Sequence, residues 1–582
     1  MHKNIFFAIL FLMSTITDAQ NIPFEQNENQ SATYAETMDF YGYLAKAYKK
    51  NVRIAPQGLT DSGERLHTVV LANDKAFDSK TVRQQGKVVL FINNGIHPGE
   101  SDGIDASMLF AKALLQKKEM MALLNHVTVV IIPVYNIDGA LNRNTSSRAN
   151  QNGPEAYGFR GNGQNLDLNR DFVKCDTRNA QAFNKIFTTW QPDIFIDNHV
   201  SNGADYQYVM TLIATEHSKL EQPLAQYLDA QLLPELYKGM KTAAWEMCPY
   251  VNSLDYQTER PDTKGIAGFM DSPRYSTGYA ALHHCIGFMP ETHMLKPYGD
   301  RVRATQTLLH VMLKTLDTQY KAIILAKTKA IELSQTKTEY PIQWTLDETR
   351  KDSFLFKGFK ADYKPSAISG QPRLWYDRSQ PYEQFIPFYN HYLSAMNITK
   401  PKAYILPQAW YRAADCLRNN GVQLIELQRD TIVNVECYAI EDYKTRDFAY
   451  EGHYAHSKLK VSVKIEKRRY RKGDFWIGTN QLAARYLIET LEPQAVDSYF
   501  TWNFFDGILM SKEGFSPYVF EDLAAQFLTQ NPAIQAELDA LKLKDSAFAK
   551  DGAAQLDWVY QHSPWYYDRE AYQMYPVARV ME

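Results

Sequence analysis

The stretch Asn93-Asn94-Gly95-Ile96-His97-Pro98-Gly99-Glu100 ends an apolar run at 87–92 and sets a His and a Glu three residues apart. A second apolar run, 192–197, is followed at once by Asn198-His199. Catalytic zinc commonly takes three ligands from His and carboxylate side chains and keeps one position open. His97, Glu100 and His199 make such a set if the two runs are neighbouring strands, because sites in open α/β sheets form beyond the carboxyl ends of strands. Each signal alone has an ordinary explanation. His-x-x-Glu is common by chance, and a lone His at a strand end more often bonds to backbone. A further strand candidate, 285–289, leads into Pro290-Glu291-Thr292-His293, where Glu291 is either a carboxylate beside such a metal or a salt-bridged surface residue.

Agreement among separate segments raises the odds. His97-Pro98-Gly99-Glu100, Pro133-Val134-Tyr135-Asn136-Ile137-Asp138-Gly139, Asn165-Leu166-Asp167-Leu168-Asn169-Arg170-Asp171, Ile196-Asp197-Asn198-His199 and Pro290-Glu291-Thr292-His293 occur in an order that resembles the zinc carboxypeptidase family over roughly 60–320. The resemblance implies a three-layer α/β/α mixed sheet, one zinc per chain held by His97, Glu100 and His199, and Glu291 as general base and proton shuttle. It also implies that Asn169 and Arg170 grip the substrate's terminal carboxylate, which suits the planar Arg fork. Asp167 would hydrogen-bond the first histidine ligand and fix its orientation. Two features transfer less closely. Arg143, Arg148 and Arg160 compete to polarise the scissile carbonyl, and Arg148 is chosen for its separation from Asn169-Arg170. The mobile tyrosine should precede Glu291, where Tyr275 and Tyr279 stand in a Gly/Ser/Pro-rich segment with Arg274, a further carboxylate contact.

The activity so implied is a zinc metallocarboxypeptidase that removes C-terminal residues from peptides. The alternatives are a zinc amidohydrolase, or a peptidase acting on cell-wall peptides or removing glutamates, to whose branch His-Pro-Gly-Glu is similar. Another alternative is a peptide-binding protein that keeps the fold without turnover; Glu291 argues against it, since binding alone does not need a base.

Elements that would position these residues alternate along the chain. Strands are expected at 67–72, 87–93, 127–134, 193–197, 208–214 and 286–289, and helices at 34–50, 103–116, 178–190, 219–238 and 301–332. Residues 1–19 have a basic start, an apolar centre and Thr17-Asp18-Ala19, the pattern of a cleavable signal peptide. The catalytic domain is placed at 20–335, a polar linker at 336–370, and a smaller α+β accessory region of unknown role at 371–582. Within that region 402–406, 408–420 and 422–427 read as strand, helix and strand, 433–476 as extended and aromatic, and 481–492 as a helix.

The 63 basic and 66 acidic side chains nearly cancel, so no global field favours nucleic acid. No later run approaches the roughly 20 apolar residues of a membrane span. With a signal at the start, the mature chain is expected outside the cytoplasm, in the periplasm or beyond. The five cysteines are scattered and odd in number, unlike a disulfide scaffold. His453, His456 and Cys437 suggest a second metal only weakly. The basic run 464–472 reads as a solvated face, and the aromatics near 499–505 and 565–567 as packing. Oligomeric state has no signature here.

Overall fold

The apolar runs around the two histidines become adjacent strands of one sheet. The structure, a computed structural model, describes residues 21–566 and 571–582; the expected signal segment, 1–19, lies outside them, as does Tyr567. The first half of the chain contains β1 (Val52–Leu59), β2 (Arg65–Leu71), β3 (Val88–Asn93), β4 (Val127–Ile132), β5 (Ile194–Asp197), β6 (His199–Ser201), β7 (Met210–Ala214), β8 (Cys248–Pro249), β9 (Ile266–Ala267) and β10 (Ile286–His293). All but β9 form one mixed sheet in the order β1-β2-β4-β3-β5-β10-β7-β8, with β6 continuing the line of β5 beside β10. Every residue of β3, β4, β5 and β10 is buried, which requires cover on both faces.

Helices supply that cover: α1 (Tyr34–Ala47), α2 (Asp102–Gln116), α3 (Arg178–Trp190), α4 (Leu233–Thr242), α5 (Ser276–Leu282) and α6 (Tyr298–Thr336). The Thr177 side chain caps α3 by accepting from the Ala180 amide. Phe183 and Phe187 of α3 then pack against Phe91 of β3, Phe195 of β5 and Tyr279 of α5. α2 and α6 pack on each other, and α6 lies along β3 and β4.

Three local differences stand out, two of them with a physical cause in the chain. β1 was not anticipated because it is a half-exposed edge strand with Pro56 at a register shift, and so lacks a clean alternation. The helix expected over 219–238 begins at Gln222 and widens to a π turn at Leu228–Leu232 before α4. Pro234 has no N–H for the carbonyl four residues back. α6 extends beyond 301–332 at both ends, running to 39 residues.

The segment 336–370 is not the linker its polar composition suggested. It contains β11 (Glu339–Leu346) and β12 (Asp352–Pro365), which pair with β14 (Tyr392–Thr399) and β13 (Pro372–Tyr389). Most of β12 faces solvent, so its polar residues are those of an exposed strand. The far end of β13 pairs with β9, joining this hairpin to the first half of the chain. Further on, β15 (Ala403–Leu406), β16 (Ile425–Glu426), β17 (Thr431–Thr445), β18 (His456–Tyr470), β19 (Phe475–Gly478) and β20 (Ala578–Val580) form a second sheet, ordered β16-β19-β15-β20-β17-β18. α7 (Tyr411–Asn419) packs on α3, and α8 (Ala484–Leu491) is wholly buried. The unanticipated helices α9 (Pro517–Gln530), α10 (Pro532–Lys544) and α11 (Gly552–His562) share a small core around Phe520, Phe527 and Tyr560.

Candidate active site

β3 ends at Asn93 and the chain turns through Gly95, whose φ of +63° lies in the region that favours glycine. This turn brings His97 and Glu100 back over the sheet, and α2 starts immediately afterwards. On the neighbouring strand β5 ends at Asp197, and His199 opens β6. Asn198 clamps the two turns together, donating to Asn94 Oδ1 at 2.7 Å while its amide donates to the Asn93 carbonyl. In β10, Glu291 pairs in register with His199. The three strand ends therefore meet at one point.

The ring nitrogens at that point have divided roles. His97 Nε2 is 2.8 Å from Asp167 Oδ1, and His199 Nε2 is 2.9 Å from Asp197 Oδ2. Both Nδ1 atoms are thereby left facing Glu100, at 3.3 Å from Oε1 for His97 and 3.2 Å from Oε2 for His199. His97 Nδ1 is buried without a hydrogen-bond partner. One donor atom from each of His97, Glu100 and His199 lies within 4.8 Å of the others, and no other such group occurs among the described residues. Carboxylates behind both imidazoles, with the opposite nitrogens converging, are the arrangement that orients histidine ligands to a metal. The residues present thus fit a zinc ion.

Electrostatics favour a cation here. Burial would raise the Glu100 carboxyl, but the charges of His97 and Arg148 outweigh it and hold it well below the usual carboxylate range. Burial of Asp167 is likewise overcome, by His97 and Arg160, and its carboxyl is held low. For His199, burial is overcome by Asp197, and the imidazole is raised well above its usual range. Glu291 differs: burial pushes it up to about 8, with Glu100 adding to the shift and His199 opposing it. A carboxyl that titrates near neutrality suits a group that takes and returns a proton.

These groups line a cavity of about 490 Å³ that also receives Arg148, Arg160, Asn169, Arg170 and Tyr275. Arg148 Nη1 donates to Glu100 Oε1 at 2.9 Å, whereas Arg160 grips Asp167 through Nε and Nη2 and brings Nη1 to 3.5 Å from Glu100. Arg143 is tied instead to Ser31. The Arg170 guanidinium lies 4.5 Å from the Tyr275 ring centre.

Two expected contacts point elsewhere. Tyr279 has 0% exposure; it packs among Phe172, Phe183 and Phe187 and donates to Asn420 Oδ1 at 2.6 Å, because its helix turns that face into the core. Arg274 is held by Asp497 at 2.7 Å and lies over Trp502, which draws its charge away from the cavity. Four contributors were not anticipated. Asp197 stands two residues before His199, so its proximity was the available signal. Asp271 lines the cavity with Oδ1 unpartnered, and burial pushes its carboxyl up to about 6. Tyr450 and Glu451 arrive from the second half of the chain. The discounted pair His453 and His456 bonds to Asp176 and to Asp506 respectively.

A mixed sheet that gathers two histidines and a glutamate at its strand ends, with a second glutamate, Glu291, beside them, defines a zinc metallopeptidase. The zinc carboxypeptidase family model matches residues 37–221 of this chain. Carboxypeptidase 2 of Trichophyton rubrum is 20% identical over 431 residues, covering 71% of this chain and 73% of the relative. Carboxypeptidase 2 of Trichophyton equinum is 21% identical over 459 residues, covering 76% and 78%. Among solved structures, a metallo-carboxypeptidase from Burkholderia cenocepacia has a TM-score of 0.36 at 17% identity, covering 49% of this chain and 70% of its own. No helix among the described residues is long and apolar enough to cross a membrane.

Proposed function

We propose that the protein is a metallocarboxypeptidase that hydrolyses the last peptide bond of its substrates, working outside the cytoplasm with one zinc per chain. The observation that carries this reading is the shared cavity: the histidine-glutamate cluster, Glu291 and the Asn169-Arg170 pair all open onto it. His97 Nδ1, Glu100 and His199 Nδ1 would hold the zinc, which when bound supplies Lewis acidity, lowering the pKa of water towards about 7 and polarising a carbonyl. Asp167 and Asp197 fix the two imidazoles with Nδ1 inward. Arg170, with Asn169, binds the substrate's terminal carboxylate and so sets which bond lies over the cluster. Arg148, with Arg160 beside it, places guanidinium N–H donors where negative charge develops on the carbonyl oxygen. Glu291 takes the proton of the attacking water on its carboxylate and returns it to the departing amine. Tyr275, on the cavity wall against Arg170, closes over the bound terminus.

The test is digestion of a peptide library by the zinc-loaded protein, with products read by mass spectrometry. Loss of single residues from C-termini is expected. Internal cleavage, or release of acyl groups alone, would overturn the exopeptidase reading in favour of a different amide hydrolase.

A further inference from the structure

The turn between β17 and β18 reaches back into the first half of the chain. Tyr450 and His453 close it with reciprocal backbone hydrogen bonds of 2.7 and 3.0 Å, leaving Glu451 and Gly452 as its two central residues. Both have positive φ, +50° and +80°. Two-residue turns of this kind favour Asn-Gly, because a side chain larger than Asn or Asp gains nothing there to offset the left-handed backbone. Glu451 is therefore held against its own preference, and its side chain shows why: Oε2 accepts the Asp167 amide at 2.7 Å. Beside it, the Tyr450 hydroxyl accepts from Arg170 Nε at 3.0 Å. Arg170 Nη1 donates to the Asn169 carbonyl at 2.8 Å, so two points of the guanidinium are fixed.

The turn is itself braced. The Tyr450 ring stacks on Trp502 at 6.2 Å, and His453 Nε2 is 2.8 Å from Asp176, which Arg412 of α7 and Lys174 also engage. Rigid partners behind a binding group reduce the freedom it loses on binding.

We infer that Tyr450 and Glu451 are positioning residues for the carboxylate subsite. Tyr450 orients the Arg170 fork and Glu451 fixes the Asp167–Arg170 segment, so the C-terminal half of the chain completes a site whose reacting groups all come from the first half. This rests on reading Arg170 as the grip for the substrate's terminal carboxylate.

The experiment uses the zinc-loaded full chain carrying Glu291→Gln, whose slowed turnover lets binding be read. Calorimetry compares the best library peptide with the same peptide amidated at its C-terminus. The parent should prefer the free acid. Adding Tyr450→Phe or Glu451→Ala should weaken binding of the acid about tenfold, the scale of a lost hydrogen bond to a charged group, and Tyr450→Phe should leave the amide and the zinc content unchanged. Glu451→Gln keeps an acceptor and should bind like the parent. A general structural lesion would weaken acid and amide alike. If the parent does not distinguish acid from amide, the carboxylate reading of Arg170 fails. If it does, and Tyr450→Phe discriminates equally well, the positioning role fails; that variant, which lacks one hydroxyl, decides the matter should Glu451→Ala not fold.

Discussion

At His97 and His199 the outcome depends on which ring nitrogen is free. Because Nε2 of each is held by a carboxylate, His97→Ala or His199→Ala should abolish zinc retention, measured as metal content after dialysis. Full activity in metal-free protein would count against the site. Glu291→Gln should keep the zinc and lose at least about a hundredfold in kcat, the usual size of a general-base effect. Away from the site, Asp105 has 0% exposure, accepting from the Ala32 amide and the Tyr298 hydroxyl, and burial pushes its carboxyl up to about 7, with Asp102 adding. Its folded pKa lies above the unfolded value, so the folded state holds the proton more tightly. Stability should accordingly fall between about pH 4 and pH 7 as that proton is lost. Asp105→Asn should remove part of the fall, of the order of a few kcal/mol, when urea midpoints at pH 5 and pH 8 are compared. An identical fall in the variant would show that this carboxyl is not its source.

At the scale of elements, the start of α2 decides how β3 and β5 present their ends. A Cβ on Gly103 would lie 2.4 Å from Asn198 Cβ and 2.8 Å from Asn94 Oδ1. Gly103→Ala must push Asn198, the neighbour of His199, and should cost about 1–3 kcal/mol. Zinc should also be lost faster to a chelator; retention at the wild-type rate would mean that the turn adapts. Much of this layer was legible in the chain. β3, β4 and β5 are apolar runs because both of their faces are covered, and α3 falls at 178–190 as its periodicity indicates. β12 was not legible, since a solvent-facing hairpin strand carries the composition of a linker. The three side chains of the candidate metal site follow strand ends, where the sequence reading placed them. Tyr279 could not be separated from Tyr275 by spacing, because only the packing of α5 shows which ring turns inward. The contact from Glu451 to Asp167 spans 284 residues of sequence, and no local pattern announces it.

Across the whole molecule, the two halves share buried charge as well as apolar core. Arg485 of α8 donates to Glu489 at 2.8 Å and lies 3.3 Å from Glu221 of the first half, all three buried. Lys337 and Lys219 add further contacts to these carboxylates. Arg485→Ala would leave carboxylates under-compensated and should destabilise the protein by about 3–5 kcal/mol, read as a lower urea midpoint. The main apolar core runs without a break from Phe183 and Tyr279 to Tyr486 and Trp502. Tryptophan fluorescence and far-ultraviolet circular dichroism should therefore report one coincident unfolding transition for these parts; two separated transitions would show that the halves are energetically independent.

The left-handed Glu451 also bears on how this chain responds to selection. Glycine or asparagine tolerates this backbone better than glutamate, so where that gain exceeds the cost of the lost hydrogen bond to the Asp167 amide, a screen that rewards stability alone would favour them. Libraries sorted by heat resistance or expression would then drift towards those residues and discard the acceptor for the Asp167 amide. A screen that also rewards turnover of free-acid peptides should hold the glutamate in place.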